Sequence, residues 1–145
     1  MAAFDFEKLK DPCCFAENRL PAHSDHVFYR DEAELARGVS SFYRTLDGIW
    51  HFAYARNTEH IPQGFEAADY DCRDWETIRV PAHIQMEGYG APHYTNTTYP
   101  WDGHESIVPG EIPVRDNPVG CYVKYFAVPE DWERVYISFG GVDAA

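Results

Sequence analysis

Side chains between residues 49 and 54 alternate in a way that suits an extended strand. In the run IWHFAY, the aromatic residues Trp50, Phe52 and Tyr54 recur at every second position. Because successive side chains of a β-strand point to opposite faces, this spacing places three aromatic rings on one face. Asp47 and Gly48, just before the run, are a turn signal. The pattern therefore predicts a strand over 48–56 with a buried aromatic face.

The same two-residue period predicts three further strands, near 76–80, 119–128 and 134–140. Both faces of the segment 120–128 are largely apolar, which predicts a central position in a sheet. Glycines and prolines interrupt residues 81–117 and predict a long, turn-rich connection. The predicted core residues are Trp50, Phe52, Val123, Tyr125, Ile137 and Phe139.

Short strands, many turns and the lack of a helical period predict an all-β fold, an antiparallel β-sandwich. A jelly-roll sandwich uses about eight strands, and only four or five are visible, so we expect a domain that is incomplete at its C-terminus. Residues 1–44 lack the alternation and predict an irregular N-terminal arm, which leaves 45–145 as the sandwich domain. Within the arm, Asp31 and Glu34 have the spacing of a helix cap and predict at most a short helix over 31–43.

The net charge and the cysteine pattern limit the partners and the cellular compartment that the chain is expected to have. Its 24 acidic and 12 basic residues give a net charge of −12, which repels nucleic acid and anionic membranes but suits a neutral substrate such as a sugar. Four scattered cysteines, at positions 13, 14, 72 and 121, include no CxxC pair and predict reduced thiols. The first ten residues contain no signal-peptide core, and no segment approaches the roughly 20 apolar residues that cross a bilayer. We expect a cytoplasmic location.

The sequence contains no self-contained catalytic motif. Glycoside hydrolysis needs two carboxyl groups about 5–9.5 Å apart, yet Glu87, Glu105 and Glu111 fall in the predicted connection, where a solvated surface role is expected. The run HSDH at 23–26 offers three potential metal ligands without a fourth nearby, and we interpret it as a polar part of the arm. No catalytic residue and no metal ligand is predicted.

Asn96 is the candidate binding residue. Its amide offers one acceptor and two donors, which suits adjacent sugar hydroxyls, and Tyr94, Tyr99 and Trp101 can form an apolar wall beside it. Local sequence also allows a turn-capping role for Asn96. The run NTT at 96–98 matches a glycosylation sequon, although the cysteine usage argues against a secreted protein.

Five motifs, in this order, resemble the beginning of a bacterial family 2 β-galactosidase. They are NRLPAH (18–23), LDGIWHF (46–52), VPAHIQMEGYG (80–90), PHYTNTTYP (92–100) and NPVGCY (117–122). The resemblance covers residues 18 to 145. β-Glucuronidases share the architecture, but the first and fourth motifs fit the β-galactosidase branch better.

The resemblance implies a galactose-binding-like jelly roll packed against a (β/α)₈ barrel, which is absent here. The two catalytic glutamates, and the ligands for magnesium and sodium, would lie outside this chain, so the chain alone should be inactive and bind no cofactor. The parent would hydrolyse terminal β-D-galactose from β-galactosides with retention, as a homo-oligomer. Asn96 would contact the galactosyl unit. The alternatives are a freestanding carbohydrate-binding module, or a structural or complementation fragment that docks on a partner subunit.

Overall fold

A computed structural model describes residues 5–94 and 96–142 and shows a mostly non-helical chain around a three-stranded antiparallel sheet. The strands are β1 (Gly48–Ala55), β2 (Glu76–Val80) and β3 (Val119–Val123), in the order β2-β1-β3. One α-helix, α1 (Glu32–Arg37), precedes them. Short 3₁₀ helices span Phe6–Lys10, Thr58–His60 and Ile84–Glu87. Thr95 of the YTN sequence and the last three residues of the predicted domain lie outside the described residues.

Strand β1 lies at the centre of the sheet. Residue 52 faces Glu76 of β2 on one side and Tyr122 of β3 on the other. The predicted central position of the 119–128 strand is therefore wrong, because β3 pairs with β1 alone among the described strands. Most apolar side chains of this segment are not buried, and Tyr125, Phe126 and Val128 are 59%, 50% and 44% exposed. The period-two strand at 48–56 is confirmed and is the element on which the rest is built.

The aromatic face of β1 forms the core of the sheet. Phe52 is fully buried, and its ring lies 4.6 Å from the ring of Tyr89 and 4.8 Å from that of Tyr122. Ile78 shares this face, since it pairs with Trp50, and is 2% exposed. Gly120 leaves room for the Phe52 ring, because a Cβ there would come within 3.0 Å of it. Burial of Phe52 is confirmed, whereas Trp50 and Val123 are only partly covered.

The C-terminal part of the chain differs from its prediction. β3 ends at Val123 rather than near 128, and residues 134–140 form no strand. Tyr125, Ile137 and Phe139, all predicted in the core, are 59%, 56% and 63% exposed. A period-two sequence becomes a strand only where a neighbouring backbone supplies hydrogen bonds, and no strand pairs with these residues.

The segment predicted to be an N-terminal arm contains the predicted short helix with the predicted cap. Asp31 accepts a hydrogen bond from the Glu34 backbone N–H at 2.8 Å. The Glu34 carboxylate in turn accepts from the backbone of Arg30 at 2.9 Å and of Ser41 at 3.2 Å, and these bonds lower its pKa. Gly38 ends α1 in the left-handed conformation, which favours glycine.

Charged contacts connect the arm to the rest of the chain. Lys10 lies 2.8 Å from Glu111, and the Arg44 guanidinium donates to the Ala127 carbonyl at 3.0 Å. All four cysteines are free; those at 13 and 14 are exposed and those at 72 and 121 are buried. No helix within the described residues is long and apolar enough to span a membrane.

Candidate functional site

The connection between β2 and β3, residues 81–118, contains the candidate residue Asn96. Its first part contacts the sheet through Tyr89 and Gly90. The Tyr89 hydroxyl donates to the Glu76 carboxylate at 2.7 Å, and this bond raises the Tyr89 pKa. The Tyr89 ring also stacks on Tyr54 at 5.9 Å. Gly90 passes so close that a Cβ would lie 2.8 Å from the Tyr54 hydroxyl, and its φ of +68° also favours glycine. The loop therefore leaves the sheet from a fixed point.

Asn96 lies in the middle of this connection and is exposed. Its neighbour Tyr94 is 89% exposed. An exposed amide on a loop whose base is anchored can be presented to a ligand. This placement agrees with the predicted binding role and does not exclude the turn-capping role, so the assignment of Asn96 stays a prediction.

A stacked aromatic pair follows Asn96. The rings of Tyr99 and Trp101 are 5.0 Å apart and within 3° of parallel. Tyr99 is also held by Asp102, whose carboxylate accepts from the Tyr99 backbone N–H at 2.9 Å and whose own N–H donates to the Tyr99 carbonyl at 3.0 Å. The three residues of the predicted apolar wall do not act as one group, because the rings of Tyr99 and Trp101 stack on each other while Tyr94 stacks on no ring within residues 5–94 and 96–142.

Glu105 has a structural role that its loop position did not predict. Its carboxylate accepts backbone hydrogen bonds from Val114 at 3.1 Å, Arg115 at 2.9 Å and Asp116 at 3.3 Å. These bonds, led by those of Arg115 and Val114, lower the Glu105 pKa. In addition to its expected surface position, this residue therefore links one part of the connection to another. Nothing in the local sequence marks the partnership, because the bonded residues lie nine to eleven positions away.

The other two glutamates of the connection make ion pairs instead. Glu87 lies 3.2 Å from Arg79, and Glu111 lies 2.8 Å from Lys10. Carboxylates engaged in separate structural contacts do not form the facing pair that glycoside hydrolysis requires. The connection offers a neutral ligand an amide and flat aromatic faces.

The histidine-rich part of the arm makes local contacts. His23 lies 2.8 Å from the Pro21 carbonyl and His26 lies 3.1 Å from the Ser24 carbonyl, each through Nδ1. Across residues 5–94 and 96–142, no three His, Cys, Asp or Glu side chains come together in a geometry that could hold a metal ion.

Sequence comparison defines the class to which this sheet and its long loop belong. Residues 43–145 match the family model described as "Glycosyl hydrolases family 2, sugar binding domain". The match includes all three strands and the whole connection between β2 and β3. The chain belongs to this family.

Its relatives are β-galactosidases. The chain is 49% identical over 140 residues to a β-galactosidase of Halalkalibacterium halodurans, a match that covers 94% of this chain and 14% of the relative. It is 39% identical over 143 residues to a β-galactosidase of Lactobacillus delbrueckii subsp. bulgaricus, covering 97% and 14%. A β-galactosidase large subunit of Leuconostoc lactis is 40% identical over 151 residues, covering 94% and 24%. The chain thus spans between one seventh and one quarter of the length of these curated relatives.

Proposed function

We propose that this chain is the N-terminal, sugar-binding part of a family 2 β-galactosidase, an enzyme that hydrolyses terminal β-D-galactose from β-galactosides. The observation that carries the proposal is the match of residues 43–145 to the family's sugar-binding domain, together with relatives that are β-galactosidases. The chain is non-catalytic by itself. Its contribution is the connection between β2 and β3, from which Asn96 contacts the galactosyl unit.

The finer architecture belongs to the same proposal. Residues 1–44 form an arm, and 45–145 form part of a jelly-roll sandwich whose remaining strands lie beside the C-terminal segment. Two observations support this. Ile137 and Phe139 are exposed although they alternate like strand residues, and they line a cleft of about 420 Å³ together with Trp50 and Tyr122. An apolar cleft of this kind is what an incompletely covered sheet face leaves.

The proposal that Asn96 acts only together with the catalytic barrel follows from the small free energy that one side chain can contribute to binding. A hydrogen bond contributes a net ~0.5–1.5 kcal/mol after exchange with water. Millimolar affinity already requires about 4 kcal/mol. An exposed Asn96 therefore cannot hold a monosaccharide unaided, and its contribution depends on the catalytic barrel of the same polypeptide.

Two measurements test this function. Galactose titrated into the 145-residue chain should give no detectable binding, and a chromogenic galactoside should not be turned over. In the full-length polypeptide, Asn96→Ala should reduce kcat/KM by roughly 1–3 kcal/mol of transition-state stabilisation, because the sugar hydroxyls lose a buried partner. Thr98→Ala, on the same loop, is the matched control.

Each contrary result would contradict a different part of the proposed function. Tight galactose binding by the chain alone would favour a freestanding carbohydrate-binding module. Restoration of activity when the chain is added to a partner that lacks it would favour a complementation fragment. Full efficiency in the Asn96→Ala enzyme would remove Asn96 from the site.

A further inference from the structure

Two neighbouring cysteines near the N-terminus offer two thiols to solvent at one place. Cys13 and Cys14 are free and exposed, whereas Cys72 and Cys121 are free and buried. Exposed thiols can react, while cysteines buried in apolar surroundings are inert. The chain therefore concentrates its accessible thiols in a single adjacent pair.

Backbone hydrogen bonds fix the turn that carries this pair. The Asp11 carboxylate accepts from the Cys13 backbone N–H at 2.9 Å, and the Asp11 carbonyl accepts from the Cys14 N–H, also at 2.9 Å. On either side of the turn, the Lys8 ammonium lies 2.8 Å from the Glu17 carboxylate, so residues 8 and 17 are held together around it. A turn fixed at both cysteines loses little conformational entropy when both thiols bind one ligand.

The spacing of the two cysteines disfavours a disulfide between them. A trans peptide bond joins Cys13 to Cys14, and such a bond sets the two Cα atoms about 3.8 Å apart. Ordinary disulfides need Cα atoms about 4.4–6.8 Å apart, and shorter separations store strain. An atom placed between the two sulfurs separates them by two bonds instead of one and relieves that strain. The pair is therefore better suited to a bridging ligand than to a bond with itself.

The number of available ligands decides which atom can form the bridge. Structural zinc takes four protein ligands, and within residues 5–94 and 96–142 no group of three His, Cys, Asp or Glu side chains could hold a metal ion. The pair therefore suits a soft atom that takes two sulfurs and keeps its remaining bond to a substituent of its own. Trivalent arsenic with one organic substituent has this valence.

We propose that Cys13 and Cys14 form a binding site for monosubstituted trivalent arsenicals. With an arsenoxide, R–As=O, each cysteine sulfur forms one bond to arsenic and the arsenic–oxygen double bond breaks. The two thiol protons leave with the oxygen as water. Arsenic stays trivalent throughout, so the reaction needs no oxidant or reductant. This site is independent of the proposed sugar-binding role.

The test uses phenylarsine oxide as the probe and the full-length polypeptide as the target. Cleavage after Lys10 and Arg19 releases residues 11–19, which contain the pair and no other cysteine. Mass spectrometry of this peptide should show one phenylarsenic unit in place of two hydrogen atoms. The peptides that contain Cys72 and Cys121 are internal controls and should remain unlabelled, because these thiols are buried.

Serine variants distinguish binding by the pair from binding by one thiol. Both positions are exposed, so Cys13→Ser and Cys14→Ser should leave the fold unchanged. Each should weaken the retention of arsenic by about a hundredfold or more, because the second bond is intramolecular only when both thiols are present. A competing monothiol should therefore remove the label from either single variant and not from the natural pair, whereas a small dithiol should remove it from both. The Cys13→Ser/Cys14→Ser double variant gives the background.

Three results would overturn the proposal. The first is a natural polypeptide whose residues 11–19 carry no phenylarsenic. The second is a single-serine variant that retains the label against a monothiol as well as the natural pair does. The third is a disulfide between Cys13 and Cys14 in the freshly purified polypeptide, seen as a loss of two hydrogen atoms that blocks labelling.

Discussion

The sheet and the segment 124–139 carry similar alternating sequences but differ in burial. Phe52 is fully buried in the sheet whereas Phe139 is 63% exposed, and Ile78 is 2% exposed whereas Ile137 is 56% exposed. The residue types are the same in each pair. The difference is that β1 has a paired strand on both sides, while 124–139 pairs with none. Alternation therefore indicates which side chains share a face, and a neighbouring strand decides whether that face becomes a core.

The phenylalanine pair provides the sharpest test of this difference. Phe52→Ala removes a ring enclosed by Tyr89 and Tyr122 and should lower the free energy of unfolding by about 3–5 kcal/mol, enough to unfold a marginal domain. Phe139→Ala removes an exposed ring and should change it by less than about 0.5 kcal/mol. Denaturant unfolding of the two variants beside the unmodified chain gives both values.

A large loss in the Phe139→Ala chain would mean that this segment packs in solution and would break the comparison. An increase in the solubility of the Phe139→Ala chain without a change in its stability would support the comparison, because exposed apolar side chains promote association.

A smaller change gives a finer version of the same test. Ile78→Val deletes one buried methyl group and should cost about 0.5–1.5 kcal/mol, while Ile137→Val should cost close to nothing. Thermal unfolding midpoints measured at matched protein concentration distinguish the two. Equal shifts would contradict a difference in packing between the two positions.

Acid should affect the loop and spare the sheet. The Glu105 pKa is lower in the folded chain than in the unfolded chain, so its contribution is present above the unfolded value and is lost as pH falls through the folded one. Below about pH 4, the amides of Val114, Arg115 and Asp116 should lose hydrogen-exchange protection, after correction for intrinsic rates, while those of β1 keep theirs.

Glu105→Gln should weaken the hydrogen-exchange protection of the same three amides at neutral pH as well, because one amide oxygen replaces two carboxylate oxygens as acceptor. Glu133→Gln, at an exposed position, is the control. Retained protection in the Glu105→Gln chain would assign the loop's order to other contacts.

Local patterns predicted the parts of the fold that depend on local rules. The aromatic spacing located β1, and Asp31 with Glu34 located the helix cap, because both signals act within a few residues. The sequence-based predictions failed where the hydrogen-bonding partner of a residue or strand is distant along the chain or missing. Glu105 bonds residues nine to eleven positions away, and nothing in the pattern at 134–140 reveals that no strand pairs with it. The aromatic composition around Asn96 was visible, but the stacking of Tyr99 on Trp101 was not, since ring geometry depends on the turn that Asp102 holds.

The central position of β1 also determines the order in which the strands pair during folding. Phe52 meets Glu76 across 24 positions of chain and Tyr122 across 70, so the second pairing closes a loop almost three times as long. By the logarithmic dependence of closure entropy on length, this costs about 1 kcal/mol more. The β1–β2 ribbon should therefore form first and β3 should join it later. Since residues 81–118 are the loop closed by that second step, the segment that carries Asn96 acquires its shape only when the sheet is complete.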